Sequence, residues 1–484
     1  MDLQSLKNLV KFTSLTGLGL GIFFLIPLGV GMVYQENIYD FMLFYLLFML
    51  VNFAMYMSVY KHPFAMNIKE SILAVNLIWI LLGVAGGGAL YFTSDISIPD
   101  AFFEAISGFT TTGATIYTDI ESLSKTTLML RSLMHWLGGM GIIVLGVGLF
   151  TILNPSGSLT LFKSESTGIN IEKLTPKIKD TASRLWGIYV ALTLIDALLL
   201  YIGGMSPFDA INHAFATIST GGFSTKNASL GAWQDNPFIL WVTTIFMFLS
   251  GVNFLAHLRA LHKDFSGYKS EEVRWYTLLF LLFSIALTLV HTFKGHDSLW
   301  HAATHAFFTI SSIITTTGFA STDYSQWSPL AIAIIIIPMY IGANAGSTAG
   351  GVKVIRYVVL FKNLFAQIKQ NLHPNAVVGV YIDHKRIGGK ILGSVQGFFF
   401  IYVVTNLLLA LFLFSHGYDF LTSVTAAIAC IGNIGPGFGH VGPADNFAFF
   451  SDFEKIVLAI FMIIGRLEFY TFLALFSRDF WKKY

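Results

Sequence analysis

The chain has almost no cysteine and very little charge. Its single cysteine, Cys430, excludes an internal disulfide framework and any zinc site built on cysteine. Only 12% of its residues are Asp, Glu, Lys or Arg, which is roughly half of what a soluble domain carries. His135, His213 and His305 fall near helix ends, and no His pair has metal-ligand spacing in combination with carboxylates, so no side-chain metal site is expected. There is no phosphate-binding glycine loop, nucleophile elbow or nucleotide fold. The sequence therefore offers no basis for an enzyme, a resident cofactor or a nucleic-acid partner, and any nucleotide control has to come from another chain. What it has in abundance is apolar surface: 55% of residues are hydrophobic, with 46 Phe and nine Trp. A water-soluble core cannot hold them all, and a lipid bilayer is the solvent that can.

Ten apolar stretches are long enough, or nearly so, to cross ~30 Å of hydrocarbon. They run over 14–34, 40–60, 71–92, 128–153, 184–203, 236–258, 275–293, 327–360, 391–414 and 453–477. The first is too long for a secretory leader and lacks a small-residue cleavage site, so it is expected to stay as a span. Four shorter apolar segments, near 99–111, 207–219, 299–316 and 420–431, cannot cross as straight helices. Each ends in a Gly/Thr/Ser-rich turn, the pattern of a re-entrant loop lining a water-filled cavity. With the N-terminus inside, most basic residues fall on the cytoplasmic side, above all in the loops 154–183 and 361–390, and acids dominate outside. That agrees with the positive-inside tendency and puts both termini in the cytoplasm. Asp196, Arg466 and Glu468 are left within predicted helices.

The four short segments align without gaps from Asp100, Asp209, His305 and Thr422 to Gly113, Gly222, Gly318 and Gly435. One unit of span, short helix, turn and span thus recurs four times. The expected fold is an all-α integral membrane protein with four tandem helix–pore loop–helix repeats around a central pore. Two extra transmembrane helices precede them. The divisions are 1–66 for the extension, then 67–160, 161–262, 263–365 (with a broken second helix) and 366–484. A permeating cation sheds its water and needs replacement oxygens, which rings of backbone carbonyls supply. Glycine permits the dihedrals that point carbonyls at an axis, and four helix C-termini aimed at the centre favour positive charge there.

The motifs that carry these turns are Gly-Phe-Thr-Thr-Thr-Gly-Ala-Thr (108–115), Ser-Thr-Gly-Gly-Phe-Ser (219–224), Thr-Thr-Thr-Gly-Phe-Ala (315–320) and Gly-Asn-Ile-Gly-Pro-Gly (432–437). With His-Trp-Leu-Gly-Gly-Met-Gly (135–141), Gly-Ser-Thr-Ala-Gly-Gly-Val-Lys (346–353) and Gly-Arg-Leu-Glu (465–468), the chain resembles the Trk/Ktr/HKT superfamily of potassium transporters over nearly its whole length. The two extra spans make it most similar to the TrkH-type membrane subunit. The resemblance implies a selectivity filter at Thr111, Thr112, Gly113, Thr220, Gly221, Gly222, Thr316, Thr317, Gly318, Asn433, Ile434 and Gly435, with potassium as the permeant ion and the only metal. Some sodium-conducting relatives carry Ser at the first glycine, so glycine in all four turns favours potassium.

Within 327–360, a run of glycines and small polar residues interrupts a long helix. It reads either as a packing face or kink, or as a loop under the filter. The resemblance implies the second, an intramembrane gate at Gly346, Ser347, Thr348, Gly350 and Gly351 with Arg466 beside it; Ala349 stands where many relatives have Gly. A local Arg466–Glu468 pair is not expected, because residues i and i+2 do not face each other on a helix. Asp196 is expected to be a packed acid, with a proton-coupling role as the alternative, and Asp100 and Asp209 are expected to cap the short helices. The resemblance further implies a homodimer in the inner (cytoplasmic) membrane and a TrkA-like cytoplasmic regulatory subunit that binds nucleotide, for which 154–183 and 361–390 are candidate contacts. The competing reading is a secondary transporter of a small solute working by alternating access, which usually shows two-fold repeats with broken helices in both halves. Here the repeat is four-fold, and only one long helix is expected to be broken.

Overall fold

The structure is a computed structural model that describes residues 3–64, 66–144, 178–295 and 298–482. The end of the stretch 128–153 and most of the basic loop 154–183 lie outside the described residues. Among those described, six helices are long and apolar enough to cross a membrane: Leu3–Val33, Tyr39–Ser58, Lys69–Tyr91, Thr181–Ile202, Glu271–Phe293 and Gly389–Ser415. At 1.5 Å per residue, even the 20-residue helix covers about 30 Å. That helix, Tyr39–Ser58, buries only Phe41 and Asn52, while Leu43, Leu46, Leu47, Leu50 and Phe53 are exposed. So bare an apolar surface is stable only in apolar surroundings.

The four sub-spanning segments are helices of 12 to 16 residues, here called the first to fourth pore helices: Ile98–Phe109, Pro207–Ile218, Leu299–Ile314 and Phe420–Gly432. Their N-caps are Ser97, Ser206, Ser298 and Asp419, each accepting a backbone N–H from the first turn. The expectation that Asp100 and Asp209 cap is therefore corrected. Both stand in the first turn, each accepting the cap serine's hydroxyl. From there the second oxygen reaches further. Asp100 pairs with Lys455 at 2.5 Å, and Asp209 accepts from Thr225 at 2.6 Å.

Each pore helix is followed by a return helix, and three of these returns are broken rather than one. The first, Lys125–Val144, is continuous as far as it is described. The second divides into Pro237–Ser250 and Phe254–Leu261, bent by 96°. At Gly251 a Cβ would lie 2.4 Å from the Tyr276 hydroxyl, and Asn253 caps the next helix through Leu255 N–H at 2.8 Å. The third divides into Pro329–Met339 and Val354–Leu372, as the glycine run suggested. The fourth bends by 108° between Asp452–Arg466 and Tyr470–Phe476, where Glu468 and Phe469 take φ of +54° and +63°. No right-handed helix can continue through such dihedrals.

The chain closes on itself. One apolar cluster joins Phe12, Trp79 and Phe103 from its start to Leu409, Leu458 and Met462 near its end. Around the rim beyond the turns, Asn227 accepts the Ile120 N–H at 2.6 Å and Gly231 N–H donates to Ala320 O at 3.0 Å. Tyr324 packs on Phe438 with ring centroids 5.3 Å apart, and Phe447 N–H returns to Thr115 O at 2.8 Å.

Candidate ion pathway

The four turns after the pore helices share one backbone geometry. Two residues before each aligned glycine, Thr111, Thr220, Thr316 and Asn433 take φ of 54°, 54°, 57° and 53°, and the glycines themselves take 84°, 87°, 82° and 96°. The N–H just before each glycine turns back on its pore helix, Thr112 to Ser107 O at 2.9 Å, then Gly221 to Ala216 O, Thr317 to Ser312 O and Ile434 to Ala429 O, each at 2.8 Å. This is the left-handed helix ending that satisfies terminal carbonyls. Asn tolerates that conformation, but a β-branched Thr is strained in it, and strain repeated at one equivalent position marks a functional site.

The turns also close into a ring. A Cβ on Gly113 would lie 2.2 Å from Gly221 O, on Gly222 2.0 Å from Thr317 O, on Gly318 2.1 Å from Ile434 O, and on Gly435 2.6 Å from Thr112 O. Each glycine thus faces the carbonyl preceding the next glycine, in chain order, with the fourth meeting the first. Both the dihedral and the space demand glycine. All four glycines line one cavity of about 110 Å³.

Side chains tie each pore helix to the strand returning from its turn. Asp209 holds Thr225 at 2.6 Å, and His305, at the aligned position, holds Ser321 at 2.8 Å. In the fourth unit, Thr425 accepts the Phe438 N–H at 2.9 Å. In the first, Glu104 accepts from Thr115 Oγ1 at 3.0 Å and Ile116 N–H at 2.9 Å. Glu104 is also paired at 2.8 Å with Arg131, and both side chains are buried. Arg131 reaches into the second unit, donating to Ser224 O at 3.1 Å with its guanidinium 4.1 Å from the Phe223 ring. Sequence reasoning missed this pair. The available signal was an acid, Glu104, in the middle of an apolar helix too short to span. His135 bonds Gly108 O at 2.7 Å and stacks on Phe223, and His213 bridges Asp209 O and Ser224 Oγ. These histidines brace the turns.

The glycine run in the third return helix is a loop against the pore-helix ends. Its mouth is closed by Gly342 N–H to Val352 O at 2.8 Å and Val354 N–H to Ala343 O at 3.1 Å. Thr348 donates to Ile218 O at 3.1 Å at the end of the second pore helix, and Gly350 N–H donates to Thr316 Oγ1 at 2.7 Å in the third turn. A Cβ on Gly350 would lie 2.5 Å from Gly432 O of the fourth. The packing-face alternative is therefore not what the fold shows. Gly346 and Gly351 have φ of 74° and 66°, and Gly346 O accepts the Phe254 N–H at 3.0 Å, while Ser347 turns back on Asn344 O.

Arg466 lies beside this loop, donating through Nη1 to Thr348 O at 3.0 Å; its Nε and Nη2 are buried and have no partner among the described residues. Glu468 pairs not with Arg466 but with Arg356, at 2.5 Å. Lys353 donates to the Ala349 and Gly350 carbonyls, and Glu272 accepts the Ala345 N–H at 2.6 Å. Lys353, Arg356 and Glu272 are further residues the sequence did not single out. Asp196 is fully buried, and neither carboxylate oxygen accepts a hydrogen bond among the described residues. Thr217 beside it donates instead to His213 O.

A membrane-embedded chain whose regular structure, among the described residues, is helical but for one two-stranded hairpin, Tyr381–Ile382 with Lys385–Arg386, and whose four matching turns ring one small cavity, belongs to the class of cation-transport proteins rather than enzymes. The family model described as TrkH, "Cation transport protein", matches residues 37–483, and the chain belongs to that family. It is 38% identical over 421 residues to the Trk system potassium uptake protein TrkH of Salmonella typhimurium, covering 86% of each chain. It is 34% identical over 481 residues to the Trk system potassium uptake protein TrkI of Halomonas elongata, covering 98% of this chain and 97% of that one. The crystal structure of the potassium transporter TrkH from Vibrio parahaemolyticus superposes with a TM-score of 0.89 at 32% identity over the full length of both chains.

Proposed function

We propose that this chain takes up potassium across the cytoplasmic membrane through a filter made by its four turns; potassium uptake is what its relatives' names describe for them. The units within 67–160, 161–262, 263–365 and 366–484 are then four repeats around one pore, after a two-helix extension. The observation that carries this reading is the closed ring: four turns of equal dihedrals, each glycine against the next turn's carbonyl. Four short backbone segments in that arrangement bring carbonyl dipoles to one axis, where a dehydrated cation finds its ligands, and four helix C-termini add negative potential. The filter residues are Thr111–Gly113, Thr220–Gly222, Thr316–Gly318 and Asn433–Gly435. The loop 346–351, lodged against three of the four pore-helix ends, is the gate, and Arg466 sets a positive barrier beside it.

The chain works as a homodimer whose gate answers to a cytoplasmic nucleotide-binding partner of the TrkA kind. What supports the regulatory partner is that the relatives are named as members of a Trk system, and that the segment 361–390 carries exposed basic residues such as Lys385 and Arg386. The test is potassium-dependent growth of an uptake-deficient bacterium expressing this chain or Gly318→Asp, with a compatible partner subunit present. Growth at low potassium with the parent alone, at equal expression, is the expected outcome. Failure of both would turn the reading toward sodium conduction or solute transport, and saturable uptake of an organic solute would favour alternating access.

A further inference from the structure

The loop 346–351 meets the turns through Ile218 and Thr316, which precede the aligned glycines. The cavity of about 110 Å³ that all four glycines line is walled instead by residues that follow them, in the first, second and fourth units. It therefore stands at the other end of the ring, where an ion enters if the loop lies on the cytoplasmic side. Three charged residues belong to its wall, Arg131, Lys226 and Asp445.

Two of these charges are matched. Arg131 is paired with the buried Glu104 at 2.8 Å, and Lys226 with Glu121 at 3.6 Å. The Asp445 carboxylate has neither a hydrogen bond nor an ion pair among the described residues. Its backbone, by contrast, is held. The Asp445 N–H closes a turn on Gly442 O at 3.1 Å, and two residues on, the Phe447 N–H is bonded to Thr115 O of the first unit at 2.8 Å. Asp445 is thus fixed in place with its charge unspent. An ion pair presents only a dipole, whose field fades faster with distance than that of a single charge. The unpaired Asp445 therefore decides the sign the cavity presents, and a cleft of one sign raises the local concentration of the opposite ion.

We infer that Asp445 is a cation-gathering residue at the pore entrance, whose carboxylate holds a hydrated monovalent cation in the cavity from which the filter takes its ion. The inference deepens the pore reading above and rests on it. In water, a unit charge ~6–8 Å from the ion's path changes the ion's local concentration by about two- to threefold. That effect acts through solvent, so salt screens it, as it does not screen a role in packing.

The experiment uses the full chain in vesicles of neutral lipid, with rubidium as the transported probe. At low ionic strength the half-saturating rubidium concentration should rise about two- to threefold in Asp445→Asn and stay near the parent's in Asp445→Glu. In Lys226→Gln, which leaves Glu121 unpaired, it should fall. The rise in Asp445→Asn should shrink when N-methylglucamine chloride is brought to about 1 M, where the Debye length is ~3 Å. No rise in Asp445→Asn overturns the inference, as does a rise that survives high salt or appears equally in Asp445→Glu. A second readout needs no transport. Thr118, exposed in the first unit's part of the wall, is replaced in Thr118→Cys, the chain's own Cys430 being buried. The rates at which a cationic and an anionic methanethiosulfonate reagent modify it are then compared. The cationic-to-anionic ratio should be severalfold higher with Asp445 than in the added presence of Asp445→Asn, and equal ratios overturn the inference. If the parent takes up no rubidium, it is the pore reading that has failed, and the modification rates still decide whether Asp445 sets the potential of the cavity.

Discussion

At position 113 the backbone sits at φ +84°, and the Gly221 carbonyl occupies the space a side chain would need. A serine there has to move that carbonyl, and a filter discriminates by how its carbonyls are placed. Gly113→Ser is therefore expected to lower the potassium-to-sodium permeability ratio by about tenfold, the equivalent of ~1.4 kcal/mol. Reversal potentials under bi-ionic conditions measure it, and an unchanged ratio would count against the filter assignment. In the proposed mechanism Arg466 works by charge. A unit charge ~10 Å from a permeating ion, at an effective dielectric of about 20, acts on it by about 1–2 kcal/mol. Arg466→Ala should raise rubidium uptake severalfold at equal expression; equal or lower uptake contradicts the barrier role. Asp196 is a different case, a buried acid with no hydrogen bond to either oxygen among the described residues. Asp196→Asn keeps its shape and removes its capacity to ionise, which a membrane interior tolerates better. Unaltered flux and equal or higher thermal stability are expected if it only packs. A flux whose pH dependence disappears in Asp196→Asn would instead make it a proton-coupling site.

At the scale of elements, the first pore helix is held by a buried Arg–Glu pair, which no other pore helix shows among the described residues. Glu104 and Arg131, both buried, join the pore helix, its returning strand and the second unit's Ser224 carbonyl. Removing one member of a buried pair leaves an uncompensated charge and typically costs about 3–5 kcal/mol. Arg131→Ala should therefore unfold at a markedly lower temperature in detergent, and Glu104→Gln/Arg131→Met should recover part of the loss. Purely additive losses would mean that the two side chains act independently. The broken return helices have a common logic. In the second and third, the backbone freed at the break goes into the support of the loop 342–351, since Gly251 O accepts the Asn344 N–H at 3.0 Å and the Phe254 N–H reaches Gly346. In the fourth, the break sets Glu468 against Arg356 across from the same loop.

Across the whole molecule, the units must stay in register for four turns to meet, and rim contacts between neighbours do part of this. Between the first and second, Asn227 accepts from Ile120 N–H and donates to Asp119 at 2.8 Å. The Asn227 amide holds the Asp119 carboxyl below the usual carboxylate range. A carboxyl whose folded pKa is depressed stabilises the fold above its unfolded value of about 4, and the contribution is lost as pH falls through the lowered folded value. The melting-temperature gap between parent and Asn227→Ala should thus be larger at pH 7 than at pH 3. A gap that stays constant would show that the amide's bond to Ile120 alone matters.

Membrane residence, the short pore helices and their glycines were legible from local chemistry. Long apolar runs with few charges leave no other solvent than lipid, and a Thr-Thr-Gly turn after a helix too short to span recurs where the chain can be aligned with itself. The four pore-helix limits came out within two residues of those observed. The glycine run at 342–351 announced a break because no continuous helix favours it. The break at 251–253 carries a turn-and-cap signal, Gly251 followed by Asn253, that the long apolar run around it masks, whereas the break at 467–469 was not legible, because ordinary residues, Glu468 and Phe469, take left-handed dihedrals there. The caps at Ser97 and Ser206 did carry a sequence signal, a serine three residues before an acid with a proline between them, whereas nothing in the sequence shows that Arg131 crosses to a second unit. Sequence determines which segments need lipid and which positions need glycine, because those are demands of solvent and of single dihedrals. Only the tertiary structure decides that each glycine faces the next turn's carbonyl and that the loop lies against the pore-helix ends, because those contacts join residues far apart in the chain.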